Sequence, residues 1–122
     1  MNLGEYAESL FTTYCIEKGY IVSKPFGHET RYDLVVDVNN KLQRVQVKST
    51  EYIRSRDNEL QVRVNYTVKE IDWFAIYLKP INEWFVIPID AVKGIYQFTY
   101  KKNKKSKYDI FKNNFGFLRH GF

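Results

Sequence analysis

The sequence predicts a single α/β domain, on three observations. Residues 3–18 repeat their apolar positions with the period of a helix, and two pairs of short apolar runs are joined by turn-forming residues in the manner of β-hairpins. The length of 122 residues, with 44% apolar content, supplies one core without disulfide staples.

The elements follow in order. Leu3, Tyr6, Ala7, Leu10, Phe11, Tyr14 and Cys15 recur at spacings of three and four, so a helix from Leu3 to Lys18 is expected, capped by Gly19. Glu8 falls one residue past Ala7, at the edge of the apolar stripe. It reads either as a solvated helix acid or as a group looking along the boundary between core and solvent. Residues 19–26 read as a first strand ended by Pro25, and Gly27-His28-Glu29-Thr30 as a turn. Two strands follow, roughly 31–38 and 42–50, around Asn39-Asn40-Lys41, where asparagine tolerates the left-handed backbone of a tight turn. Residues 51–58 are polar and of mixed charge, hence a loop or short helix; residues 60–64 alternate and read as a half-exposed strand. Asp72–Leu78 and Glu83–Pro88 are nearly all apolar and form a second hairpin, buried on both faces, around which the core is built. Pro88–Val92 starts a short helix. Beyond Gly94, IYQFTY reads as an edge strand, and the segment from about 100 to 122 is basic. Its lysines, Lys101, Lys102, Lys104, Lys105 and Lys107, lie between Tyr100 and Tyr108. They form either a solvated, mobile run or a phosphate-binding arm.

Composition narrows the function. A formal charge of +5 and a pI near 9.2 favour a polyanionic partner. The single Cys15 rules out an internal disulfide and a cysteine-rich zinc cluster, and a reducing, cytoplasmic location is expected. No apolar run approaches the roughly 20 residues of a membrane span. The opening MNLGEYAESLF has neither the basic leader nor the apolar block of a secretory signal and is expected to belong to the mature fold. No repeat, Gly-rich phosphate loop, Walker-like lysine, Ser-His-Asp order or His-rich cluster is present, and His28 and His120 are expected to be idle.

Chemistry concentrates in two runs, YDLVVDV with Asp33 and LQRVQVKS with Gln46-Val47-Lys48. Strand alternation puts Gln46 and Lys48 on one face and Val47 on the other, toward a core. The turn decides whether Asp33 joins them. A two-residue turn at Asn39-Asn40, or a four-residue turn from Val38 to Lys41, sets Asp33 opposite Gln46. A two-residue turn centred on Asn40-Lys41 sets it opposite Lys48. A three-residue turn sets it opposite Val47 and throws it to the wrong face. An acid and a lysine on adjacent strands also make an ordinary surface ion pair. Three features favour catalysis instead: the pair stands at the open end of the hairpin, Glu8 offers a fourth group, and the chain is basic. Phosphodiester hydrolysis needs an activated water and neutralised phosphoryl oxygens, and a hard divalent cation held by oxygen ligands supplies both. In that chemistry Asp33 is the obligatory anionic metal ligand, with the Val47 carbonyl beside it. Gln46 adds a neutral carbonyl and Glu8 a second negative charge, while Lys48 orients or deprotonates the water and counters phosphate charge. Candidate DNA contacts are Lys24, Arg31, Arg54, Arg56, Arg63, Lys101, Lys102, Lys104 and Lys105.

Glu8 within GEYAESL, Asp33 within RYDLVVD and Gln46-Val47-Lys48 within RVQVKST, in that order, resemble the PD-(D/E)XK nuclease superfamily. The chain is most similar to the small homing endonucleases encoded in bacterial group I introns, whose motif also carries Gln. Archaeal Holliday-junction resolvases are similar in size and in the Gly4-x-x-x-Glu8 opening. The resemblance covers residues 3–50 well and the runs EIDWFAIYL and EWFVIPIDAV loosely. Tyr32 stands where the family has Pro, and Gln46 where most relatives have an acid. The resemblance implies a restriction-endonuclease-like mixed β-sheet core flanked by helices and Mg2+-dependent cleavage, with Mn2+ able to substitute. It also implies double-stranded or branched DNA as substrate and a homodimer or homotetramer that addresses two strands. A sequence-specific, homing-type DNA endonuclease is the expected function. The alternatives are a Holliday-junction resolvase, a catalytically inactive DNA-binding module on the same fold, and an interaction module that uses some of the 21 aromatic residues at a partner surface.

Overall fold

The computed structural model describes residues 1–27, 29–67, 69–116 and 118; the expected roles of His28 and His120 lie outside them. The helix forms where the period predicts it. α1 spans Leu3–Glu17, and the Asn2 side chain caps it by accepting the Glu5 amide hydrogen at 2.9 Å. Ala7, Phe11 and Cys15 form its fully buried stripe, and Gly19 takes the left-handed φ of 85° that turns the chain out of the helix. Burial pushes the Cys15 thiol up to about 12, which keeps it protonated and inert.

Among the described residues seven strands follow: β1 Ile21–Ser23, β2 Leu34–Val38, β3 Lys41–Thr50, β4 Glu59–Arg63, β5 Trp73–Leu78, β6 Glu83–Pro88 and β7 Gln97–Lys101. Five of them make one mixed sheet in the order β1-β2-β3-β5-β6, and β4 pairs with β7 as a separate antiparallel ribbon. The turn at Asn39-Asn40 has two residues, both at positive φ (53° and 69°), which matches the twist of a hairpin. It sets Leu34 against Val45, the register in which Asp33 comes opposite Gln46. β3 then continues past the end of β2 and pairs in parallel with β5, Val45 with Trp73 through Thr50 with Leu78. β5 and β6 form the second hairpin, and all of β5 is buried.

Alternation along β5 and β6 builds a core on each face of the sheet. Trp73, Ala75, Tyr77, Trp84 and Val86 pack with Leu34, Val36, Val45 and the stripe of α1. Phe74, Ile76, Leu78, Phe85 and Ile87 pack with Leu60, Val62, Phe98 and Tyr100 of the ribbon. The sheet is thus flanked by a helix on one face and by a β-ribbon on the other. Two cores hide more rings than one would, so among the described aromatics only Tyr6, Phe26, Tyr52 and Tyr96 stand well exposed. The outer edge of β6 is closed by the C-terminal segment: Asn113 accepts from the Trp84 amide at 2.8 Å and donates its own amide to the Trp84 carbonyl at 2.7 Å.

Three local differences from the sequence reading have plain causes. The first strand is only three residues long, because Pro25 lacks an amide donor and Gly27 turns at φ 92°. Residues 89–92 form a 3-10 turn instead of an α-helix. The lysine-rich segment begins inside β7 and continues as a turn, with Asn103 at φ 65° and the Lys102 amide donating to the Asn58 carbonyl at 3.0 Å.

Candidate active site

The site lies where β3 outruns β2. Asp33, one residue before β2, brackets Gln46: its amide donates to the Val45 carbonyl at 2.9 Å, and its carboxylate Oδ2 accepts the Val47 amide hydrogen at 2.8 Å. The carboxylate thereby takes the place that the next residue of a longer β2 would fill. Alternation sends Val47 toward the helix-side core, as expected. Gln46 and Lys48 stand on the other face, beside Phe74 and Ile76 in the parallel register.

α1 brings Glu8 to the same place. A cleft of about 470 Å³ is lined by Glu8, Lys24, Pro25, Phe26, Gly27, Thr30, Tyr32 and Asp33. Lys24 Nζ pairs with Glu8 Oε1 at 3.2 Å. Burial raises the Asp33 carboxyl above its ordinary value, and the Glu8 charge adds to the rise; the Val47 hydrogen bond, Lys48 and Lys24 pull the other way and are outweighed. Glu8, Lys24 and Lys48 therefore all act on Asp33 electrostatically. Gln46 and Lys48 are not part of the cleft lining.

Beside Lys48 is a residue that sequence reasoning missed. The Lys48 ammonium lies 5.0 Å, and the Arg31 guanidinium 4.5 Å, from the centre of the Tyr66 ring. That ring stands edge-on to Phe74 at 5.4 Å, and Arg31 also pairs with Glu70 at 3.3 Å. Tyr66 sits in the loop before β5, with no periodic signal to link it to β3.

The remaining basic candidates are dispersed. Arg54 is held by Asp57 at 2.7 Å and Glu59 at 3.1 Å, closing the turn before β4. Arg56 is exposed and approaches Asp57 at 4.0 Å. Arg63 lies over the Tyr96 ring at 5.5 Å on the outer side of the ribbon. Lys101 pairs in register with Glu59, while Lys102, Lys104 and Lys105 are exposed.

The two carboxylates that share the cleft, Glu8 and Asp33, are close enough to repel and suit a hard cation as oxygen donors. Among the described residues no cluster of three or more His, Cys, Asp or Glu side chains forms. Among the described residues no helix is long and apolar enough to cross a membrane.

A family model for PD-(D/E)XK endonucleases matches residues 1–113. Among solved structures, the chain is similar to the bacterial homing endonuclease I-Ssp6803I, with 22% identity and a TM-score of 0.79 over 96% of this chain and 90% of that one. It is also similar to Hjc, a Holliday junction resolvase of the archaeal hyperthermophile Archaeoglobus fulgidus, with 14% identity and a TM-score of 0.57 over 83% of this chain and 85% of that one. No curated protein sequence matches the chain. At these identities the structural likeness is one of fold, and that fold is the expected restriction-endonuclease-like one. The helix acid, the acid before β2 and Gln-Val-Lys stand in one order on that fold, and the match to the family model runs from the first residue to beyond β7: the chain belongs to the PD-(D/E)XK endonuclease family.

Proposed function

We propose that this chain is a divalent-metal-dependent DNA endonuclease of the sequence-specific, homing type, working at the cleft between α1 and the start of β2. The observation that carries this reading is the Asp33 carboxylate anchored on the Val47 amide at 2.8 Å, with Glu8 lining the same cleft. In a strand the amide and carbonyl of one residue face the same edge, so the Val47 carbonyl is directed to Asp33's side. Asp33, Glu8 and that carbonyl would hold Mg2+ or Mn2+, with Gln46 as a neutral fourth oxygen. Bound there, the cation would polarise the phosphodiester and lower the pKa of a water molecule. Lys48 orients the attacking water and counters charge on the phosphoryl oxygens. Lys24, exposed over 70% of its side chain, is tied to Glu8 by a surface pair worth at most about 1 kcal/mol, and can exchange that partner for a phosphate.

A duplex has two strands, so a homodimer or homotetramer goes with this reading. The likeness to a Holliday junction resolvase supports branched DNA as the second substrate to try. The test is cleavage of a plasmid library and of a four-way junction with Mg2+, by wild type, Asp33→Ala and Lys48→Ala. Cutting by wild type alone supports the assignment. Equal cutting by all three ends it, and salt-sensitive binding with no cutting on any metal makes the chain a binding module.

A further inference from the structure

The cleft has an aromatic residue at its rim that the chemistry above leaves unused. Phe26 is fully exposed, at 108% of its reference area, and exceeds every other exposed large apolar residue described. It lies between Pro25, whose ring fixes φ, and Gly27 at φ 92°, a conformation that side-chain-bearing residues rarely adopt. The loop is thus shaped to present Phe26 outward, and it lines the same cleft as Glu8 and Asp33. Lys24 stands two residues before it. A cation beside an unburied ring is the combination by which proteins follow a nucleic-acid backbone and hold its bases. A second protein copy seated on Phe26 would instead cover the cleft.

We propose that Phe26 contacts bases: when a phosphodiester enters the cleft, the ring inserts at the neighbouring base step and unstacks it, drawing the strand toward Glu8 and Asp33. This rests on the nuclease reading and adds to it a residue that sets substrate geometry. It also predicts a preference for steps that open easily.

The experiment uses Phe26→Trp and Phe26→Ala in the full chain, in magnesium-free buffer, with a mixed-sequence duplex and a four-way junction as probes and heparin as a polyanion without bases. Both native tryptophans, Trp73 and Trp84, are buried at 3% exposure and give a constant background. The expected result is quenching of the new tryptophan by DNA but not by heparin. Phe26→Ala is expected to lower DNA affinity by about tenfold with an unchanged melting temperature. Equal quenching by heparin and DNA, no quenching by either, or undiminished affinity in Phe26→Ala overturns the proposal. If Asp33→Ala still abolishes cutting in that case, the nuclease reading survives. Wild type that neither binds nor cuts any DNA sinks both. A Phe26→Ala variant that changes sedimentation without DNA assigns Phe26 to a subunit contact and overturns the proposal.

Discussion

Asp33 and Asp72 flank the same strand, β3, and their protons report opposite roles. Asp33 is raised, first by burial and then by Glu8. Folding therefore strengthens its hold on a proton, and its contribution to stability is complete below the unfolded value of about 3.9 and lost as pH rises through the raised folded value. At neutral pH the ionised side chain opposes folding. Asp33→Asn keeps an oxygen for the Val47 amide and is expected to raise the melting temperature at pH 7, the gap over wild type closing below about pH 4. The same variant is expected to lose cleavage and to lose the stabilisation by Mg2+ that the proposed metal site predicts for wild type by mass action. A wild-type melting temperature at or above that of Asp33→Asn at pH 7 without metal refutes the first part. Asp72 is also pushed up by burial, but hydrogen bonds from the Arg44 side chain and amide outweigh this and hold it below its ordinary value. The Arg44 amide and Nε reach its Oδ2 at 2.8 and 3.0 Å. Its stabilisation is present in full above about pH 3.9 and lost as pH falls through the depressed value. Asp72→Asn is expected to cost on the order of 1–2 kcal/mol at pH 7, a sum discounted because the pair is about one-third exposed. Urea unfolding at pH 7 and pH 3 measures both variants, and the two shifts should have opposite signs.

At the scale of elements, the β2-β3 turn decides whether Asp33 meets the Gln46-Lys48 face. Both Asn39 and Asn40 adopt positive φ, and the Asn40 amide donates to Asp37 Oδ1 at 3.0 Å. A β-branched residue there meets the left-handed penalty directly, so Asn40→Val is expected to lose about 1–2 kcal/mol while Asn40→Gly stays close to wild type. Equilibrium denaturation decides this; an Asn40→Val variant as stable as wild type would show that the turn does not hold the register. This turn was legible because its chemistry is local: asparagine pairs tolerate left-handed backbone, and alternation does the rest. The helix and the β5-β6 hairpin were legible for the same reason. What local chemistry does not encode is which strand lies beside which. β3 skips β4 to pair in parallel with β5, and β4 leaves the sheet to form a ribbon with β7, although successive strands usually neighbour one another. Tyr66 was invisible for that reason: its place beside Lys48 exists only once the loop before β5 has been folded back over β3. The Glu8–Lys24 pair needed the same step, since it joins α1 to the chain beyond β1.

Over the whole molecule, the positive charge divides into groups already engaged and groups facing solvent. Arg54 belongs to the first: with Asp57 and Glu59 it fixes the turn entering β4, and its guanidinium is not directed to a partner outside. Lys102, Lys104 and Lys105 belong to the second, on the turn that leaves β7. The Lys102 amide bonds to Asn58, so this basic turn adjoins the Arg54 turn at one end of the ribbon, on the sheet face that carries Gln46 and Lys48. A duplex gripped at the cleft and extended along that face would meet these lysines as phosphate-binding groups and Arg54 as scaffold. Replacing Lys102, Lys104 and Lys105 together with Gln is therefore expected to flatten the dependence of log affinity on log salt by roughly 0.9 for each phosphate no longer neutralised, up to about 3 in all, with stability unchanged. Arg54→Ala is expected to do the reverse, lowering stability and leaving that slope intact. Titrations of a labelled duplex over a range of salt measure the slopes. An unchanged slope in the triple variant would remove the β7 turn from the DNA path, and a reduced slope in Arg54→Ala would move Arg54 into it.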